Sequence, residues 1–212
     1  MQPGISDAGL SRRRGIIMRS TIAGVLIYLA MIFLATFIET SDRAWAGEKA
    51  YTRSIEQYVV PDVVLVNQHG AKVRLKDLLQ TDKPVVLDFI FGTCTTICPI
   101  LSAGYVNLQH KLGPDPQAIR LVSISIDPEH DTPKVLKEYL RRYHAKQGWD
   151  FLTGSREDID RVMMAFGAYV QDKMSHYPLT LIRSPQDGTW IRLFGLMSTV
   201  EFMNEVQKVR NK

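Results

Sequence analysis

Two apolar, β-branched runs stand out along the chain, Val85–Phe91 and Ile119–Ile126. The first is of strand length and almost unbroken, the pattern of a strand buried on both faces in a mainly parallel sheet, and the second reads as another buried strand. After the first, Gly92 and Thr93 break the run. Pro99 then suits the first turn of a helix, and Ile100, Leu101, Gly104, Tyr105 and Leu108 continue at helical spacing to about Leu112, where Gly113-Pro114-Asp115-Pro116 stops it. The second run ends in Asp127-Pro128-Glu129-His130-Asp131 and leads to a helix capped by Thr132, with Pro133 at its first position. Leu136, Tyr139, Leu140 and Tyr143 form its apolar stripe. Two strand–loop–helix units in succession argue for an α/β fold with parallel strands and right-handed crossovers.

Shorter elements surround these units. Glu48–Gln57 is polar and reads as a linker or an extended lead-in, so the domain is expected over 61–212 behind a linker over 47–60. Val63–Val66 and Lys72–Leu75, separated by Asn67-Gln68-His69-Gly70, predict an N-terminal hairpin with glycine at the turn. Trp149–Leu152 is a short strand, followed by a helix over Glu157–Phe166 capped by Ser155. Leu179–Ile182, a turn at Ser184–Gly188 and Thr189–Phe194 form a second hairpin before a last helix from Ser198 to about Val209. His69, His110, His130 and His144 read as solvated turn, loop or helix-surface residues. Met163 and Met164 read as core filler on a helix stripe.

Hydrophobic residues make up 45% and charged residues 23% of the 212, which fits one globular domain plus an appendage. The appendage is at the front. Arg12, Arg13, Arg14 and Arg19 precede the apolar run Thr21–Ile38, and Ala44-Trp45-Ala46 before Gly47 has the small-x-small form of a signal-peptidase site. The run of about 18 residues would span roughly 27 Å as a helix, close to the roughly 30 Å hydrocarbon core, so a cleaved signal and an uncleaved anchor are both open over 1–46. Either way the arginines stay inside, and the domain is expected in the periplasm or anchored facing it. The pI of about 9.1 does not indicate a nucleic-acid partner. Residues 1–46 hold five of the 26 basic and three of the 22 acidic residues, which leaves a mixed surface of 21 and 19 on the exported part.

Both cysteines, Cys94 and Cys98, lie where the first buried strand hands over to a helix. A helix N-terminus carries partial positive charge and free N–H groups, which favour a thiolate. Their spacing lets a small adjustment close a disulfide or bring both sulfurs onto one soft cation, and both outcomes are open. A structural bridge closing so short a loop would staple nothing distant. A closed zinc site of four cysteines from this chain is excluded, so further ligands would come from His, Met or solvent. In an oxidising compartment the pair's working state depends on a reductant or a bound metal. Asp127 leaves its strand on the same sheet edge as Cys94, where open α/β sheets bind ligands.

Together, Cys94-Thr95-Thr96-Ile97-Cys98-Pro99, Ser125-Ile126-Asp127-Pro128-Glu129-His130-Asp131-Thr132-Pro133 and His176 just before a strand–turn–strand resemble the Sco/SenC family over roughly Val60–Val209. The resemblance implies a thioredoxin-like fold, a central mixed sheet flanked by helices, behind an apolar N-terminal export or anchor helix. It implies a role in assembling the copper site of cytochrome c oxidase. Cys94, Cys98 and His176 would be the copper ligands, with Cys94 and Cys98 redox-active and able to pair as a disulfide, and Asp127 close by. Partners would be the oxidase subunit that receives copper and a thiol reductant or copper donor. Family members often carry Asp directly before the ligand histidine. This chain has Ser175, which removes a carboxylate acceptor for the ring. Pro178 is also unusual there and suggests a cis bond. Two thiolates and an imidazole suit Cu(I) and, with an added ligand, Cu(II). The competing class is a metal-free thiol–disulfide oxidoreductase or thiol peroxidase using the same two cysteines.

Overall fold

The structure, a computed structural model, describes residues 50–113, 115 and 118–210, together with Tyr28, Leu29, Met31 and Phe33, which are helical. The expected signal or anchor helix and the Ala44-Trp45-Ala46 site otherwise lie outside the described residues. Among the described residues no helix is long and apolar enough to cross a membrane. Residues 1–49 and 50–212 form separate units.

The second unit is built on one eight-stranded sheet. Its strands are β1 (Tyr51–Glu56), β2 (Val64–Asn67), β3 (Lys72–Arg74), β4 (Val85–Ile90), β5 (Arg120–Ser125), β6 (Trp149–Thr153), β7 (Leu179–Arg183) and β8 (Trp190–Gly195), in the spatial order β1-β8-β7-β4-β5-β6-β2-β3. β4, β5 and β6 are parallel and the remaining pairings antiparallel, so the sheet is mixed, as expected. All six residues of β4 are buried, which accounts for a run that is apolar except at Asp88: a central strand covered on both faces has no solvent side to mark with alternating polar residues.

The helices are α1 (Leu75–Leu79), α2 (Cys98–Leu112), α3 (Pro133–Arg142), α4 (Arg156–Ala165) and α5 (Thr199–Arg210). Thr132 and Ser155 cap α3 and α4 by accepting from the N–H groups of Val135 and Asp158. α2 packs against α5, where Tyr105 stacks on Phe202 at 6.2 Å. Tyr105 also meets Trp149 edge-on at 5.1 Å and donates to the carbonyl of Val122. The β2–β3 hairpin turns at Gly70, whose φ of 77° a side chain would resist.

Four expectations need correction. Residues 51–56, expected in a linker, form the edge strand β1, in register from Tyr51 opposite Gly195 to Glu56 opposite Trp190. Most of β1 is exposed, so its polar sequence carries no apolar period. It is held by the backbone ladder and by Glu205, a buried residue of α5 that accepts from Tyr51 Oη at 3.1 Å and Arg53 Nε at 2.9 Å. Gly195 permits the close approach, because a Cβ there would lie 2.4 Å from the carbonyl of Ala50. Second, Met164 is exposed, and only Met163 fills core on α4. Third, there is no cis peptide bond among the described residues, so Pro178 is trans. Fourth, His144 stands just past α3 with φ 52°, a helix-ending position rather than a helix-surface one.

Candidate metal centre

The cysteine motif begins where β4 runs out. The N–H of Cys94 bonds to the carbonyl of Phe91 at 3.2 Å, which turns the chain back on itself, and α2 begins at Cys98 with Pro99 beside it. Cys94 therefore lies in the loop and only Cys98 in the helix. Their sulfurs come together by the folding of the loop rather than by one helical turn. Asp131 holds this loop in place. Its carboxylate accepts from the N–H of Gly92 at 3.1 and 3.2 Å and from Ser125 Oγ at 2.5 Å, and a Cβ on Gly92 would fall 2.7 Å from Asp131 Oδ1. Burial and the neighbouring Asp127 raise the Asp131 pKa, while Ser125 and Gly92 oppose them.

His176 arrives from the opposite side of the sheet edge, on a 3₁₀ turn over Lys173–Ser175 that Asp172 caps through the N–H of Met174. Its Nε2 lies 3.2 Å from Cys98 Sγ and 3.9 Å from Cys94 Sγ, and the three donor atoms all fall within 4.8 Å of one another. The ring's Nδ1 lies 2.7 Å from the carbonyl oxygen of Lys173. A carbonyl only accepts, so Nδ1 carries the proton and Nε2 turns its lone pair to the sulfurs, the tautomer a metal ligand requires. The acceptor that Ser175 does not offer is thus supplied by the backbone three residues before the ring. Phe91 packs its ring against the imidazole at 5.1 Å, edge to face.

The two thiols differ. Cys98 is fully buried, and burial with the neighbouring Cys94 and Asp88 pushes its pKa far up. Burial also raises Cys94, but hydrogen bonds from Cys98 and Thr96 outweigh it and leave Cys94 below the ordinary thiol value. A cleft of about 350 Å³ lined by Cys94, Thr95, Tyr139, Arg142 and Tyr143 reaches Cys94 from solvent. Burial lowers the His176 pKa, keeping the imidazole neutral at neutral pH. Both cysteines are free thiols here.

Residues 52–201 match the SCO1/SenC family. The chain belongs to that family. It is 38% identical over 162 residues to the SCO1 protein homolog of Bacillus subtilis, covering 73% of this chain and 82% of the relative. Among solved structures, it matches BsSco, a Sco-family cytochrome c oxidase assembly protein in which a disulfide switch was identified, at 32% identity and a TM-score of 0.60. That match covers 73% of this chain and 94% of BsSco. It also matches copper-bound ScoI of Arabidopsis thaliana at 25% identity and a TM-score of 0.58, over 73% of this chain and 99% of that one. The thioredoxin-like Sco fold expected from the motifs is therefore the fold observed.

Cys94, Cys98 and His176 come together at this sheet edge, whereas Asp127 is engaged by Lys173 and His130 and is not among the clustered donors. Asp127 is buried, with Oδ2 at 2.5 Å from Lys173 Nζ and Oδ1 at 2.9 Å from His130 Nδ1. Lys173, Asp131 and Phe91 were given no role at the site by the sequence. Gly92, whose missing side chain makes room for Asp131, was the one local signal for that contact.

Proposed function

We propose that this chain is a copper-binding assembly factor for cytochrome c oxidase, with Cys94, Cys98 and His176 as its copper ligands. The observation that carries this reading is the convergence of two sulfurs and an unprotonated imidazole nitrogen within 4.8 Å at one sheet edge. Thiolates are soft donors and imidazole is borderline, a set suited to Cu(I) and able to hold Cu(II) with a further ligand. Three donors leave the ion open to a partner's ligands, which a delivery protein needs. The receiving partner would be the copper-site subunit of the oxidase. The arginines ahead of an apolar run in residues 1–46 support an extracytoplasmic domain, exported or anchored.

Anaerobic copper titration of the reduced protein tests this. One copper per chain held against a moderate competitor is expected, and His176→Ala should weaken Cu(II) far more than Cu(I), because two thiolates alone can satisfy Cu(I). Acidification should release Cu(II) as protonation of the imidazole competes, below the ordinary histidine pKa because burial lowers it. A reduced protein that holds no copper yet reduces disulfides would support the second reading, a thiol–disulfide oxidoreductase. The asymmetry of the pair favours that second activity: Cys94 is the low-pKa thiol facing a cleft, and Cys98 the buried one.

A further inference from the structure

We propose that Lys173 and Asp127 form a latch that sets His176 against the cysteines; the inference rests on the copper-site reading above. Lys173 holds the histidine from two ends. Its carbonyl fixes the ring through Nδ1 at 2.7 Å, and its ammonium fixes Lys173 itself to Asp127 Oδ2 at 2.5 Å, at the end of β5. Asp127 is a firm anchor. It is 3% exposed, its N–H donates to Ser125 Oγ at 3.0 Å, and its second oxygen is engaged by His130. With both oxygens committed to cationic or hydrogen-bonding partners, its carboxylate is occupied as an anchor rather than free as a fourth ligand.

The other ties of this segment lie on its far side. Tyr177 donates to the carbonyl of Gly167 at 3.0 Å and packs on Phe194 at 4.8 Å, and Asp172 bonds only within the turn. The side-chain tie that draws the turn toward the cysteine edge is the Lys173–Asp127 pair. The Lys173 ammonium also sits 5.4 Å from the centre of the Phe91 ring, the same ring that meets His176 edge-on. A carboxylate beside a ligand histidine would orient the ring directly. Here the acceptor is a main-chain carbonyl, whose position is only as good as the hold on its own residue. Lys173 and Asp127 are therefore positioning residues, acting on copper through His176.

Removing the latch should act where the imidazole matters most. Outer partners of metal-binding histidines typically contribute about 10–100-fold to metal affinity, so Lys173→Met is expected to weaken Cu(II) by about 10-fold or more while leaving Cu(I) near wild type. The Cu(II) electron paramagnetic resonance spectrum should shift with it, and Lys173→Arg, which keeps a donor for Asp127, should restore both. Asp127→Asn should reproduce the loss, and the double variant should be no weaker than either single one, because both break the same contact. Wild-type Cu(II) affinity in Lys173→Met, additive losses in the double variant, or an arginine variant as weak as the methionine one would each overturn the latch. His176→Ala, measured in parallel, separates the two levels. If it weakens Cu(II) while the latch variants do not, only the latch falls; if it changes neither copper state, the copper site falls with it.

Discussion

Asp88→Asn should flatten the pH dependence of this protein's stability. Asp88 lies in the middle of β4, opposite Ser123 of β5 and Thr180 of β7, and is fully buried. Neither of its oxygens has a hydrogen-bond partner of ordinary geometry; the nearest help is the Ser123 hydroxyl, already an acceptor for Trp149 Nε1 at 3.0 Å. Burial therefore pushes the carboxyl from 3.8 up to about 7, against a smaller pull from Ser123. The folded state then holds a proton that the unfolded chain has given up, so stability falls as pH rises from near 4 to near 7. Between pH 5 and pH 8 about two pH units of this window are crossed, and at about 1.4 kcal/mol per unit the carboxyl costs the wild type about 3 kcal/mol. Asparagine resembles the protonated acid at every pH. Its amide brings a constant cost of about 1–3 kcal/mol for an imperfectly paired buried group, so the informative quantity is the change with pH. Urea unfolding of the reduced wild type and variant at pH 5 and pH 8, followed by tryptophan fluorescence, should show the variant gaining about 3 kcal/mol on the wild type over that range. A difference between the two proteins that stays constant across pH would refute the argument, because it would mean that Asp88 does not change protonation there.

Other expectations follow from single contacts. Gly92→Ala should push Asp131 off the loop, since the added Cβ would sit 2.7 Å from its Oδ1, and denaturant unfolding should register a loss of about 1–3 kcal/mol. Glu205→Gln should loosen β1, with faster amide hydrogen exchange over residues 51–56 and about 2 kcal/mol lower stability at neutral pH. Burial raises the Glu205 pKa, but Lys208, Arg53 and Tyr51 outweigh it and hold it below the ordinary value, so its stabilisation is present at neutral pH and fades as pH falls through the acid range. Mass spectrometry of the mature protein should show a start at Gly47 if Ala44-Trp45-Ala46 is cleaved, whereas an intact Met1 start in the membrane fraction would mark an anchor.

What the sequence by itself determined are the features whose causes are local. β4 shows as a mainly apolar run because both its faces are covered, and α3 and α4 start at Thr132 and Ser155 because those hydroxyls meet free N–H groups three residues on. Cys94, Cys98 and His176 were legible through the motifs they sit in. Tertiary structure decided the rest, because it depends on partners far away in the chain. β1 is an edge strand whose residues face mostly solvent, so its strand character comes from β8 and Glu205, more than 130 residues on. The tautomer of His176 follows from the Lys173 carbonyl, and the place of that carbonyl from Asp127, 46 residues earlier. The contrast between the two thiols is likewise tertiary. Local sequence puts both at the entrance to one helix, but only packing buries Cys98 completely and leaves Cys94 beside a cleft. A dipeptide pattern records what a backbone does over one or two turns; burial and electrostatic environment are sums over the whole fold.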